Sequence, residues 1–116
     1  MNADLTFNTI AFKKSFDEKG GSERRSSTRG INTPDLMIIK TQSYVDSETK
    51  VPGTRYTGRI DRVDIDANLT SIKTSMYFVI AVPSTAAGAS VTDVTTTFKA
   101  IVADANFIAN VLNGEK

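Results

Sequence analysis

The sequence predicts an α+β fold in which a run of antiparallel strands is followed by terminal helices. Three observations carry that reading. Residues 36–45, 55–66 and 69–82 alternate with the two-residue period of strands and are rich in β-branched and aromatic side chains. From residue 90 onward the period lengthens, and Val91, Val94, Phe98, Ile101, Val102 and Ala105 recur at steps of three and four as one apolar stripe. Between the two regimes, PSTAAGA at 83–89 stops a strand and lets a helix begin. Helices confined to one end of the chain cover only part of a wide sheet. The remaining apolar surface needs another home, and a second copy of the chain supplies one.

Each element has its own signal. LTFNTIAF at 5–12 reads as a strand kinked near Asn8, and DEKGGS at 17–22 as the turn of a hairpin. SERRSSTRG at 22–30 reads as an edge strand or a loop, its arginines guarding against edge pairing. NTPD at 32–35 is a turn. In the strand 36–45, Met37, Ile39, Thr41 and Ser43 share one face, while Ile38, Lys40, Gln42 and Tyr44 share the other. DSETKVPGT at 46–54 is a polar loop with a Pro-Gly turn. RYTGRIDRVDID at 55–66 sets Val63 and Ile65 against Ile60, Arg62 and Asp64. After ANLT, the strand 69–82 places Met76, Phe78, Ile80 and Val82 opposite Lys73, Ser75, Tyr77, Val79 and Ala81. Long strands joined by short returns make an antiparallel meander. Ser90 is the expected N-cap of the first helix, with Asp93 completing a capping box. Asp104 and Asn106 predict a break, followed by a short helix bearing Phe107, Ile108, Val111 and Leu112 and stopped by Asn113-Gly114.

Composition narrows the function. At 116 residues the chain is one domain with a modest core. Fourteen Lys and Arg against thirteen Asp and Glu leave a formal charge of +1, so a polyanion partner requires a local patch. Cys and His are both absent, which removes disulfides, thiol nucleophiles, His-ligated metals and the commonest acid–base group. No cofactor and no enzymatic activity are expected. The N-terminal segment lacks a basic, long apolar leader, and the longest apolar run, 76–82, is too short to span a bilayer, so a soluble, intracellular protein without membrane contact is expected. Asp61, Asp64, Asp66 and Asn68 resemble the start of a calcium loop, but Leu69 and Ser75 stand where Gly and Glu are needed, so a structural role is favoured.

The order of elements and several strings resemble the coat proteins of single-stranded RNA bacteriophages of the levivirus type. The strings are GINTPDLMI at 30–38, RVDID at 62–66, SMYFVIAVPSTAAG at 75–88, VTDVTTTFKAIVADAN at 91–106 and VLNGEK at the end. The resemblance implies an N-terminal hairpin, a five-stranded antiparallel sheet and two C-terminal helices. It implies an obligate homodimer with one sheet continuous across two subunits, each subunit's helices reaching over its partner's sheet. Val91, Val94, Phe98, Ile101, Val102 and Phe107 would then form the dimer interface. Dimers would close an icosahedral shell in the virion, assembled in the bacterial cytoplasm around genomic RNA, with the phage maturation protein a further partner.

The bare side of such a sheet faces RNA and, in relatives, binds an RNA hairpin that represses translation. By strand parity the RNA-facing set here is Lys40, Gln42, Tyr44, Arg62, Lys73, Ser75 and Tyr77. Cations neutralise phosphate, Gln and Ser meet base edges or sugars, and Tyr offers a stacking face. Asp64 is expected on the same side, weakening the patch, and Arg24, Arg25 and Arg29 are a second RNA patch or a solvated edge. The alternative function is a small dimeric RNA-binding regulator that forms no shell.

Overall fold

A computed structural model describes residues 4–18 and 20–115. Eight elements follow one another: β1 (Leu5–Phe7), β2 (Ile10–Glu18), β3 (Gly21–Ser26), β4 (Asp35–Val45), β5 (Pro52–Ile65), β6 (Ser71–Pro83), α1 (Gly88–Ala103) and α2 (Ala105–Leu112). The strands form one antiparallel sheet in sequence order, β1 to β6. The α+β class and the meander hold. The count of sheet strands becomes six, because β2 pairs with β1 at its start and β3 along its remainder.

The returns explain most departures from the sequence reading. Asn8 and Thr9 both have positive φ, 51° and 62°, so the expected kink is a two-residue hairpin turn and the single strand is two. Lys19, within the expected Gly-Gly turn, lies outside the described residues. The segment read as an edge strand or loop is the inner strand β3, with Arg24 fully buried. Pro52-Gly53, expected as a turn, opens β5 opposite Val45 and Tyr44. Proline is tolerated at that position because its missing N–H falls at the first residue of the strand. The true turn is organised by Asp46, whose Oδ1 accepts from the N–H groups of Glu48 and Thr49 at 2.8 and 3.0 Å. Those two donors hold the Asp46 carboxyl below its ordinary value of 3.8. Its contribution is therefore complete above pH 3.8 and is lost as pH falls below that through the lower folded value. Asp66 caps the next turn in the same way, accepting from Asn68 and Thr70 N–H at 2.9 Å each, which answers the calcium reading with backbone donors. Leu69, at φ 60°, belongs to that turn and not to β6.

Helix α1 starts two residues before Ser90, and its N-cap Ala87 makes no side-chain cap bond, so the expected Ser90 capping box does not form. The break falls at Asp104, which accepts from Phe107 N–H at 2.9 Å and caps α2. Replacing Asp104 by Ala should cost about 1 kcal/mol, read as a lowered melting temperature. At the far end Glu115 N–H bonds Asn110 O at 3.0 Å and Gly114 N–H bonds Val111 O at 3.0 Å, with Gly114 at φ 85°. This is a Schellman stop, as Asn113-Gly114 predicted.

What the fold leaves open positions the site. Among the residues whose side chains are described, the buried apolar ones are few: Phe12, Pro34 and Met37. Neither helix contains a buried residue, and neither packs substantially on the sheet of its own chain. The accessible surface is 8805 Å², against about 6,200 Å² for a compact monomer of this mass. The radius of gyration is 17.0 Å, against roughly 13 Å for a compact chain of this length. No described helix is long and apolar enough to cross a membrane.

Candidate nucleic-acid interface

Residues directly opposite one another in an antiparallel ladder share a face, so the register assigns every side chain. The first face carries Met37, Ile39, Tyr56, Ile60, Met76, Phe78, Ile80 and Val82. It is apolar yet open, with Met76 59% and Ile60 46% exposed. Gly58 lies on it beneath the Phe78 ring, where a Cβ would approach a ring carbon to 2.1 Å, so glycine is what seats that aromatic. The N-terminal hairpin covers one part of this face, leaving a cleft of about 450 Å³ lined by Leu5, Phe12, Met37, Ile60 and Phe78 among others. A second apolar cleft, about 520 Å³, lies where β6 meets α1, between Ile80, Val82, Val91, Val94 and Phe98.

The second face carries Lys40, Gln42 and Tyr44 from β4, Arg55, Thr57, Arg59 and Asp61 from β5, and Lys73, Ser75 and Tyr77 from β6. Lys40 pairs with Thr57, Gln42 with Arg55, and Arg59 with Tyr77, so cations, amide and phenols interleave across three strands. The Arg55 guanidinium sits 5.0 Å from the Tyr44 ring centroid. Ser75 Oγ donates to Asp61 Oδ1 at 2.6 Å, and Arg59 Nε donates to Asp61 Oδ2 at 3.0 Å. Six of the seven residues expected to face RNA are thus brought together.

Arg62 is the exception and is corrected. It pairs with Asp35 and Thr74 on the apolar face, and its Nε donates to Asp35 Oδ1 at 3.1 Å. Asp64 goes with it, so it does not weaken the basic patch. Arg29 binds Asp64 there and lies 3.7 Å from Asp35, tying the 27–34 loop to β5. The physical reason is loop length. Six residues separate β4 from β5, which sets even-numbered β4 positions opposite odd-numbered β5 positions. Arg55 and Arg59 therefore join the face, and Arg62 leaves it. Sequence reasoning missed both; their signal was the i, i+4 spacing, which keeps them on one side of a strand. The three arginines of the second patch do not form one: Arg24 is buried on the apolar face, Arg25 is on the polar face 3.9 Å from Glu23, and Arg29 is held by the Asp35–Asp64 cluster.

The expected interface residues Val91, Val94, Phe98, Ile101, Val102 and Phe107 all lie on the helices, and the first three line the cleft beside β6. Val94 is 69%, Phe98 41% and Phe107 48% exposed. Among the described residues no group of His, Cys, Asp and Glu gathers in numbers that would hold a metal ion.

The fold has solved counterparts. A virus-like particle of bacteriophage GQ-907 matches with a TM-score of 0.75 over 98% of this chain and 89% of that one, at 15% identity. A virus-like particle of bacteriophage AVE019 matches with a TM-score of 0.63 over 97% of this chain and 93% of that one, at 13% identity. No family model matches the sequence, and no curated protein does. At these identities the likeness is one of fold, and it extends over nearly the whole length of both chains.

Proposed function

We propose that this chain is the coat protein of a single-stranded RNA bacteriophage, a binding protein and not an enzyme, which dimerises and assembles into a closed shell around RNA. The observation that carries this reading is a fold shared with phage virus-like particles across 98% of the chain, in a molecule whose apolar face is left open. The surface excess of roughly 2,600 Å² per chain, about 5,200 Å² for two chains, is of the size an obligate partner would bury, since such interfaces run in total from about 2,000 to 5,000 Å² or more. Strand β6 is an edge of thirteen residues with no neighbour on its outer side among the described residues. In the dimer it pairs with the partner's β6, and α1 and α2 cross onto the partner's apolar face through Val91, Val94, Phe98, Ile101, Val102 and Phe107. The basic and aromatic face then lines the shell and meets RNA through Lys40, Gln42, Tyr44, Arg55, Arg59, Lys73, Ser75 and Tyr77. Shells assemble in the host cytoplasm, join the virion and take up the maturation protein. Capture of an RNA hairpin, with repression of translation, belongs to the same face.

Expression of the chain alone in bacteria tests this. The expected outcome is uniform closed particles by electron microscopy, carrying nuclease-protected RNA. Soluble dimers that bind RNA but assemble at no salt concentration would replace the coat reading with a free RNA-binding regulator.

A further inference from the structure

We infer that Arg59, Asp61, Ser75 and Tyr77 form a single-nucleotide site, in which Asp61 is a positioning residue that presents the Arg59 guanidinium to an unstacked guanine lying on Tyr77. The inference rests on the proposed RNA-facing role of this side of the sheet.

Asp61 is the anomaly that points there. Its face is otherwise open, yet the residue is 1% exposed. A buried carboxylate persists where donors fill its lone pairs. Here the donors are Ser75 Oγ on one oxygen, at 2.6 Å, and Arg59 Nε on the other, at 3.0 Å. That geometry consumes the inner edge of the guanidinium and leaves its outer fork. Among the described residues, neither terminal nitrogen of Arg59 has a protein partner and no buried side-chain nitrogen or oxygen lacks one, so both reach solvent. Because the guanidinium is planar, fixing Nε on a buried anchor also fixes the plane of the fork.

Tyr77 decides what the fork meets. It pairs directly with Arg59 across the ladder and is 66% exposed, so an apolar ring stands open beside the fork. Phosphate accepts from an arginine fork but makes no use of a ring. A base uses both, stacking on the ring and offering an edge to the fork. Guanine presents O6 and N7, two acceptors matched to two arginine donors, whereas adenine presents a donor at N6. Arg55 does not compete for this role, since its guanidinium already lies against Tyr44.

The test uses the purified full chain freed of RNA and labelled oligoadenylates carrying one central guanine, adenine or 7-deazaguanine, read by fluorescence anisotropy. The guanine oligomer should bind about tenfold tighter than the adenine one, within the range of a bidentate arginine–guanine pair. The 7-deazaguanine oligomer, lacking N7, should bind like adenine. Asp61→Asn keeps an acceptor for Ser75 and should abolish the preference, so that guanine and adenine oligomers bind alike. Tyr77→Phe should retain the preference, and Tyr77→Ala should lose it. Equal binding of guanine and adenine by the wild type, or an undiminished preference in Asp61→Asn, overturns the inference. So does Arg59→Ala weakening all oligomers equally with a shallower salt slope, which would make Arg59 a phosphate contact. Salt-dependent binding without base preference defeats this site alone, whereas no binding of any oligomer defeats the RNA-facing reading as well.

Discussion

Substituting Phe98 by Asp should abolish the folded state of this chain and not only its assembly. The purified variant should show no cooperative melting transition and should sediment as aggregate or unfolded chain. Thr96→Lys, on the opposite side of α1, should fold and associate as the wild type does. The isolated chain buries little apolar surface. Its helices hold no buried residue, its sheet exposes Met76, Ile60 and Phe78, and few of its described apolar side chains are buried. A domain of this size has a net stability of only about 5–15 kcal/mol, assembled from burial that is absent here within one chain. In the proposed dimer, a partner that covers the stripe on α1 contributes it. Each large apolar side chain taken fully from water gives about 1.5–3 kcal/mol, and a two-fold axis counts each twice. An aspartate inside that contact forfeits the Phe98 term and buries an unpaired charge at two related places, a loss of several kcal/mol at each. The wild type should correspondingly lose structure on dilution, with a melting temperature that falls as concentration falls. A well-folded monomer at low micromolar concentration would overturn the obligate dimer.

The parts of this molecule legible in the sequence are those governed by local period and local caps. The alternation of 76–82, the stripe from Val91 to Val102, the break at Asp104 and the Asn113-Gly114 stop each depend on neighbours within a few residues. One local signal, the Ser90 cap, failed too, but most of what failed depended on something further off. Asn8-Thr9 looked like strand because Thr is β-branched, yet two positive φ angles make it a turn whose value lies in bringing Leu5 opposite Phe12. Arg62 looked like part of a basic stripe because its parity matched Lys40 within each strand's own numbering. Only the six-residue length of the β4–β5 return settles how two strands' numbers interleave. Burial of charge was the least visible property. Nothing adjacent to Asp61 or Arg24 marks them as fully enclosed, because enclosure comes from strands far along the chain. The site shows the same division. Lys40, Gln42 and Tyr44 were found from one strand's alternation, while Arg55 and Arg59 needed the ladder.

That corrected register yields a sharp contrast between arginines seven residues apart. The triple variant Lys40→Ala, Arg55→Ala, Lys73→Ala should fold, associate and melt as the wild type does, because all three side chains lie on the open face and none makes an ion pair with an acid among the described residues. Its affinity for single-stranded RNA should fall steeply. Each phosphate contact on a single strand contributes about 0.7 to the slope of log affinity against log salt, so three lost contacts lower the slope by about 2. Near physiological salt this corresponds to a loss on the order of 50-fold, and particles of the variant should hold much less nuclease-protected RNA. Arg62→Ala should do the reverse. It removes the 3.1 Å donor to Asp35, whose side chain is 6% exposed, and leaves that carboxylate to Arg29 alone among the arginines. The Arg62 side chain is 52% exposed and Asp35 keeps Arg29, so the loss costs about 1 kcal/mol, and the melting temperature should fall modestly while the salt slope for RNA stays unchanged. Matching RNA losses in both variants would mean that side of the sheet does not decide contact. An Arg62→Ala effect on the salt slope without loss of stability would return Arg62 to the RNA face and reverse the register argument.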